Sequence, residues 1–291
     1  MLAPALVVTA CVASGFALSS CGQDVSSEPL EIDGIWMSRA DIARLPTEGA
    51  AWNQLLTAAR QPTHRPDLSD QKDPTNVYVM AKKGDASVAG VMQQPLEQAQ
   101  MGIPPMWNSY VTVDDIEATT ARVEAAGGSV MVPPMDAMDA GRMSVVVDPT
   151  GAVICMWQPN QHIGAELVNE AGALAWNELI TPDVPSAAAF YRDVFGWKNE
   201  TIDMGEGNMY TVFKVDGDEI AGAMPPPMDG MPPNWGVYFA VDDCDGCVAH
   251  ATELGGSVVA APMDTPPGRI AVLSDPTGAV FSIMQLAEPA A

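Results

Sequence analysis

The sequence predicts an α+β fold assembled from repeated βαβββ units, and two observations support that prediction. A set of short motifs between residues 105 and 158 returns in the same order between residues 233 and 286. Within each copy, the spacing of apolar residues switches between the period of a strand and the period of a helix. The chain therefore contains two copies of one structural unit.

Each copy opens with a strand and continues into a helix. Residues 107–113 and 235–241 combine aromatic and β-branched residues, which favour strands. A pair of aspartates follows each strand, where a carboxylate can accept hydrogen bonds from the free N–H groups of a helix N-terminus. A double glycine then ends each predicted helix, because glycine adopts the left-handed conformation of a helix C-terminus at little cost.

Three short strands complete the unit. In the first copy they are predicted at residues 129–132, 142–147 and 152–157. The last two strands are joined by the sequence Asp-Pro-Thr-Gly, which favours a tight turn, and the second copy has the same turn at residues 275–278. The order of elements is therefore βαβββ.

The composition is that of a folded and strongly acidic protein. The chain has 291 residues, of which 47% are apolar and 17% are charged, and this is enough for about two domains. Its formal charge of −24 argues against nucleic acids and anionic membrane surfaces as partners.

The N-terminal residues are similar to an export signal. Residues 2–20 are almost entirely apolar or small, and residues 18–21 resemble a bacterial lipobox. We therefore predict a leader over residues 1–21 with Cys21 as the lipidated residue, which would make the protein a cell-envelope lipoprotein held at the membrane only by its lipid. No Lys or Arg precedes the apolar run, so the alternative is a wrongly assigned start and a cytoplasmic protein.

The repeated motifs resemble those of the vicinal oxygen chelate superfamily, which includes glyoxalase I, extradiol dioxygenases and bleomycin-resistance proteins. The likeness is to bacterial members with two modules, and it covers roughly residues 78–287. Besides the paired Asp-Asp and Asp-Pro-Thr-Gly motifs, it is carried by Trp176-Asn177-Glu178-Leu179, Thr181-Pro182-Asp183, Phe190-Tyr191, Phe195-Gly196-Trp197 and Ala221-Gly222. The resemblance implies that two βαβββ units pair into one cupped sheet around a pocket.

The resemblance also implies the domain boundaries. Residues 173–287 form a complete second module, residues 161–172 a linker, and residues 78–160 an incomplete first module that lacks a strand, a helix and a further strand. An unpaired sheet edge invites association, so we expect the helices of residues 33–60 or a second copy in a homodimer to cover it. Residues 22–77 are predicted to be a linker and a short helical segment, of which residues 33–76 resemble the start of an alginate-lyase-like lipoprotein.

Members of this superfamily hold a divalent metal with His, Gln or Glu of the first strand and Glu of the last strand of a unit, and the metal acts as a Lewis acid. None of the equivalent positions in this sequence carries an imidazole or a carboxylate. We expect these positions to converge on one cavity. No metal or other cofactor is therefore expected, although a divalent metal at unusual positions stays an alternative. The equivalent positions are Asn108, Cys155, Trp176, Gly236 and Ser282.

Aromatic and polar residues remain for the predicted pocket. Side chains alternate along a strand, so Trp176 and Glu178 share one face, and the resemblance places that face inside the cup. Glu178 is the candidate acid or base. The full set of predicted ligand-binding residues is Trp176, Glu178, Tyr210, Trp235, Tyr238 and Arg269.

Three functions are compatible with this pattern. The first is a metal-free protein of the glyoxalase and bleomycin-resistance type that encloses a small organic molecule. The second is a lyase, hydroxylase or dioxygenase-like enzyme that uses Glu178 or an atypical metal site. The third is a fusion of a lyase-like lipoprotein start with a vicinal oxygen chelate protein, without a selected activity.

Overall fold

The computed structural model describes residues 6–13, 78–205 and 207–287. These residues form fifteen strands and four helices. The strands are β1 (Leu6–Ala13), β2 (Tyr78–Lys83), β3 (Ala86–Gln93), β4 (Trp107–Thr112), β5 (Ser129–Ala137), β6 (Gly141–Val147), β7 (Val153–Pro159), β8 (Leu174–Ile180), β9 (Lys198–Asp203), β10 (Met209–Val215), β11 (Asp218–Met224), β12 (Asn234–Ala240), β13 (Ser257–Thr265), β14 (Gly268–Ser274) and β15 (Val280–Leu286). The helices are α1 (Leu96–Gln100), α2 (Ile116–Ala125), α3 (Val184–Phe195) and α4 (Cys244–Glu253).

The strands form two sheets of matching topology. The first has seven strands in the order β2-β3-β1-β4-β7-β6-β5, and the second has eight in the order β13-β14-β15-β12-β8-β11-β10-β9. In the second sheet β12 runs antiparallel to β8 and parallel to β15, so the first strands of two βαβββ units meet at its centre. The predicted α+β fold of paired βαβββ units is confirmed.

The helix boundaries follow the local chemistry that the sequence indicates. Asp115, Asp183 and Asp243 each accept a hydrogen bond from the backbone N–H three residues later, which caps α2, α3 and α4. Helix α3 ends at Gly196 with a φ of 76°, a left-handed conformation that glycine adopts without strain. These caps fix where each helix starts over its sheet.

A strand that we predicted to be missing from the first module is present. Strand β1 lies between β3 and β4, the position that β8 occupies in the second sheet. It runs parallel to β3 and antiparallel to β4. The sequence pattern did not reveal this strand, because an apolar run of this length suits a central strand as well as a signal peptide, and periodicity alone does not separate them.

The other predicted features of the N-terminal region lie outside the described residues. These are Cys21 with its proposed lipid, and the helical segment within residues 33–76. The first sheet has one strand fewer than the second, and among the described residues no strand pairs with β2 in the way that β9 pairs with β10. Within the described ranges, no helix is both long and apolar enough to span a membrane.

An apolar core joins the two modules. Residues of α2 and the first sheet and residues of α3 and the second sheet belong to one buried cluster. Its centre is aromatic: the ring of Tyr191 stacks on Trp197 at 5.3 Å and meets Trp235 edge to face, also at 5.3 Å. A second cluster covers the opposite end of the second sheet, where Trp107 packs against Phe239.

Buried hydrogen bonds also link the modules. Ser109 on β4 donates to Asn177 on β8 at 2.7 Å. The Tyr191 hydroxyl on α3 donates to Asp148 at 2.9 Å, and the Trp235 indole N–H donates to the same hydroxyl at 2.8 Å. Because each of these groups is buried, each depends on its partner in the other element.

Candidate ligand-binding site

Five side chains from neighbouring strands of the second sheet converge on one face. Because cross-strand partners point to the same side of a sheet, the register places Tyr238 beside Trp176 on β8 and beside Ser282 on β15. Glu178 follows Trp176 by two positions and shares its face. Tyr210 reaches the same point from β10 through its hydroxyl group.

Glu178 is the centre of a hydrogen-bond network. Its Oε1 accepts from the Tyr210 hydroxyl at 2.8 Å, and its Oε2 accepts from the Tyr238 hydroxyl at 2.7 Å. The Trp176 indole N–H donates to the Tyr210 oxygen at 3.0 Å. The network therefore fixes both oxygens of a half-buried carboxylate with neutral donors.

The two tyrosines are held in their protonated form. Burial raises the pKa of Tyr210 and Tyr238, and the charge of Glu178 together with the hydrogen bond to it raises the pKa of each further. A hydroxyl that keeps its proton acts as a donor to the carboxylate. The direction of these hydrogen bonds is therefore set at neutral pH.

Two glycines give the network its space. Gly222 on β11 and Gly236 on β12 pair with Glu178 from its two neighbouring strands. A Cβ at Gly222 would overlap the hydroxyl of Tyr210, so the tyrosine reaches Glu178 only because this position has no side chain. A Cβ at Gly236 would meet just one atom within 4 Å, the backbone oxygen of Glu178 at 3.7 Å, so the space over Gly236 is open.

The first sheet has an equivalent face with different chemistry. The hydroxyl of Tyr78 lies against Gly90 as that of Tyr210 lies against Gly222. Tyr110 pairs with Cys155, as Tyr238 pairs with Ser282. Burial raises the pKa of Tyr78 and of Cys155 to about 12, so both are neutral at physiological pH.

The carboxylate has no counterpart in the first sheet. The register pairs Cys11 of β1 with Val91 of β3, which puts Ala10 at the position that Glu178 occupies beside Gly222. The two modules therefore share the tyrosines and the glycine, and they differ in charge.

The side chains at the family's metal-ligand positions do not form a donor set. Trp176, Gly236 and Ser282 lie on the second sheet, whereas Asn108 and Cys155 lie on the first, so the prediction that all five converge on one cavity is wrong. The sequence interpretation aligned the βαβββ units one by one. In the structure these units are divided between two sheets, so their equivalent positions are divided as well. Among the described residues, no group of three or more His, Cys, Asp and Glu side chains could hold a metal ion.

Trp235, predicted to bind the ligand, does not lie on the face that carries Glu178. It is 6% exposed and belongs to the core that joins the modules, where its indole N–H is bound by Tyr191. The reason is strand alternation: Trp235 is three positions from Tyr238 on β12 and therefore points to the opposite side of the sheet.

Arg269, also predicted to bind the ligand, lies on the side of the sheet opposite to Glu178. It pairs across strands with Gln285, whose side chain caps the backbone N–H of Cys244 at the start of α4. Its guanidinium contacts Asp245 at 2.7 Å and Asp264 at 2.9 Å. These two aspartates bind the arginine on the face of the sheet that α4 covers, away from Glu178.

Comparison with known families identifies the fold. The model of the Glyoxalase/Bleomycin resistance protein/Dioxygenase superfamily matches residues 64–156 and 173–283. The chain belongs to this superfamily, as the repeated motifs indicate.

Similar proteins of known name are bacterial. Over 210 residues, the chain is 49% identical to a Mycobacterium tuberculosis protein provisionally named glyoxylase CFP32, which covers 72% of this chain and 80% of the relative. It is 42% identical over 190 residues to the anthracycline biosynthesis protein DnrV of Streptomyces peucetius, covering 65% of this chain and 69% of the relative.

Solved structures share the fold at low sequence identity. The Mn(II)-bound glyoxalase of Novosphingobium aromaticivorans matches with a TM-score of 0.52 and 18% identity over 72% of this chain and 71% of that chain. Homoprotocatechuate 2,3-dioxygenase of Arthrobacter globiformis matches with a TM-score of 0.50 and 15% identity over 72% of this chain and 69% of that chain.

Proposed function

We propose that the chain binds a small organic molecule, without a metal, on the face of the second sheet formed by Trp176, Glu178, Tyr210 and Tyr238. We call this face the second cup. One observation carries the proposal: both oxygens of Glu178 accept hydrogen bonds from tyrosine hydroxyls, so neutral donors hold the carboxylate in place at the centre of this face. Concave faces with aromatic walls and a few fixed polar groups are typical of small-molecule sites.

The chemistry of the wall and the names of relatives support an aromatic ligand. Trp176, Tyr210 and Tyr238 offer flat surfaces on which an extended ring system can stack. Two relatives are named as anthracycline biosynthesis proteins. We therefore propose an aromatic, polyketide-like ligand.

A thermal-shift screen with small aromatic and polyketide-like compounds tests the proposal. A ligand at a hundred times its Kd stabilises the folded state by about 2.7 kcal/mol, so a ligand raises the Tm measurably. We expect Trp176→Ala to abolish this increase, because the indole forms part of the wall and orients Tyr210.

The matched control is Tyr78→Ala, which removes an aromatic ring from the equivalent face of the first sheet. It should keep the ligand-induced increase in Tm. If no compound stabilises the wild type, or if Trp176→Ala responds as the wild type does, the second cup is not the binding site.

Catalysis by Glu178 is the second candidate function, and the orientation of its carboxylate favours it. A general base must be held at a fixed position, and two hydroxyls hold this one. The provisional name of the mycobacterial relatives, glyoxylase, suggests a carbonyl substrate.

The enzyme candidate predicts exchange of hydrogen for deuterium at a carbon next to the carbonyl of an aldehyde or ketone, followed by NMR in D2O. Exchange should be lost in Glu178→Gln and kept in Glu253→Gln, a surface carboxylate with 78% of its side chain exposed. Equal exchange in both variants would exclude Glu178 as the base.

A further inference from the structure

Glu178 carries a charge that the described part of the protein does not balance. No Lys, Arg or His among the described residues forms an ion pair with it. Its known partners are two tyrosine hydroxyls, which are neutral donors. By contrast, Lys214 pairs with the exposed carboxylates of Glu200 and Glu219.

The carboxylate also keeps unused acceptor capacity. A carboxylate offers about four lone-pair positions, and the two tyrosines use one on each oxygen. A half-buried carboxylate that is only partly satisfied favours a ligand that brings hydrogen-bond donors, and it favours a cationic donor most strongly.

The space beside the carboxylate is open on one side. Over Gly222 the ring of Tyr210 fills the volume that a side chain would take. Over Gly236 a Cβ would meet nothing within 4 Å except the backbone oxygen of Glu178. A ligand group can therefore approach Glu178 from the side of β12.

The surroundings of this opening suit a cation. The side chains of Trp176, Tyr210 and Tyr238 are hydrogen-bonded around the carboxylate, and the electron-rich faces of aromatic rings attract cations. The formal charge of −24 raises the concentration of cations near the protein surface.

We propose that the second cup recognises a protonated amine, which donates to Glu178 over Gly236 while the rest of the ligand stacks on the aromatic wall. This inference rests on the proposed function and names its ligand class: an aromatic compound that carries a primary or secondary ammonium group. The first sheet lacks the carboxylate, since Ala10 takes its position, so the preference for amines belongs to the second cup alone.

Two probes with the same ring and different head groups test the inference. Naphthylmethylamine carries the ammonium at neutral pH, and naphthylmethanol replaces it with a neutral hydroxyl. Isothermal titration calorimetry of the wild type should give at least tenfold tighter binding of the amine. In Glu178→Gln the amine and the alcohol should bind within about threefold of each other, because the uncharged amide keeps the shape and removes the attraction.

Two further variants locate the interaction. Gly236→Val places a β-branched side chain, which strands accept well, into the opening, and it should weaken binding of the amine by at least tenfold while circular dichroism shows the fold retained. Glu253→Gln removes a surface charge and should leave both affinities unchanged.

The outcomes separate this inference from the proposed function. Equal affinity of the two probes for the wild type overturns the inference and leaves the binding site in place. A preference for the amine that persists in Glu178→Gln, or that Gly236→Val does not weaken, also overturns it. Absence of binding by both probes counts against the proposed function, and the inference falls with it.

Discussion

At the scale of single residues, the site depends on where side chains are absent. Tyr210 can donate to Glu178 because Gly222 leaves room for its hydroxyl, and the first sheet repeats this arrangement with Tyr78 and Gly90. A glycine in a strand weakens the strand, so its presence at both positions is explained by the close approach of the tyrosine.

Gly222→Ala should displace Tyr210 from Glu178. The new Cβ would overlap the hydroxyl, so the ring must rotate, and the charged hydrogen bond that is lost contributes about 1.5–3 kcal/mol. We expect a lower Tm and at least tenfold weaker binding of any ligand found in the screen, measured by thermal unfolding and calorimetry.

The control for this variant is Gly90→Ala, which should displace Tyr78 in the first sheet and leave ligand affinity unchanged. Equal loss of affinity in the two variants would show that ligand binding does not depend on the second cup more than on the equivalent face of the first sheet.

The sequence predicts those residues of the site whose face follows from strand alternation or from their place in the family's motifs. Trp176 and Glu178 share a strand and a face, and Tyr238 follows from the register. The face of Trp235 was misassigned. Trp235 lies three positions from Tyr238 on β12, and strand alternation therefore turns it to the opposite side of the sheet. Arg269 was misassigned because its aspartate partners come from elements distant in sequence, and no local pattern reveals them.

At the scale of elements, α3 connects the two modules through the shared apolar core and through the hydroxyl group of Tyr191. Tyr191 donates to Asp148 of the first module and accepts from Trp235 of the second. All three residues are buried, so no water can replace the hydroxyl at either partner.

Tyr191→Phe should lower the free energy of unfolding by roughly 2–5 kcal/mol, because it leaves a buried carboxylate oxygen and a buried indole N–H each without this partner. Denaturation with guanidinium chloride measures the change. Tyr78→Phe, at a residue that is 40% exposed, should change the value by less than about 0.5 kcal/mol. A similar small change in both variants would contradict the linking role of Tyr191.

Strand β1 shows a limit of sequence reasoning at this scale. Leu6–Ala13 contains apolar and β-branched residues that fit a central strand, and the same composition fits an export signal. Only its pairing with β3 and β4 favours the strand, and such pairing is a long-range property. The predicted lipid at Cys21 and the predicted homodimer stay predictions.

At the scale of the whole molecule, the tyrosines of the folded protein resist ionisation. The chain has 5 tyrosines, and the pKa of each is raised above the ordinary value of 10.0, mainly by burial. In the unfolded chain they lose their protons near pH 10, whereas in the folded protein they keep them. Their contribution to stability is therefore fully present below pH 10 and is lost as the pH rises above it.

Absorbance at the tyrosinate wavelength should follow this difference. The native protein should show little tyrosinate at pH 11, since even the partly exposed Tyr78 has a pKa that is raised to about 12. In guanidinium chloride all five tyrosines should ionise with a midpoint near pH 10. Ionisation of several tyrosines near pH 10 in the native protein would contradict the burial of these side chains.

The two modules illustrate how one fold carries two different surfaces. Both sheets retain the tyrosine over a glycine and the tyrosine at the centre, while the carboxylate is found in the second alone. The repeated motifs predict the shared parts, because turns, caps and strand patterns recur. The difference between the cups was not predicted, because it depends on which residue of β1 lies opposite Gly90.

Fluorine NMR of the protein labelled with fluorotyrosine tests the binding site most directly, because the 5 tyrosines report on every region of interest. Tyr210 and Tyr238 lie in the second cup, Tyr78 and Tyr110 on the first sheet, and Tyr191 in the core between the modules. Single Tyr→Phe variants assign the signals. On addition of a ligand from the screen, the resonances of Tyr210 and Tyr238 should shift while the other three stay in place; shifts confined to Tyr78 and Tyr110 would contradict a binding site centred on Glu178.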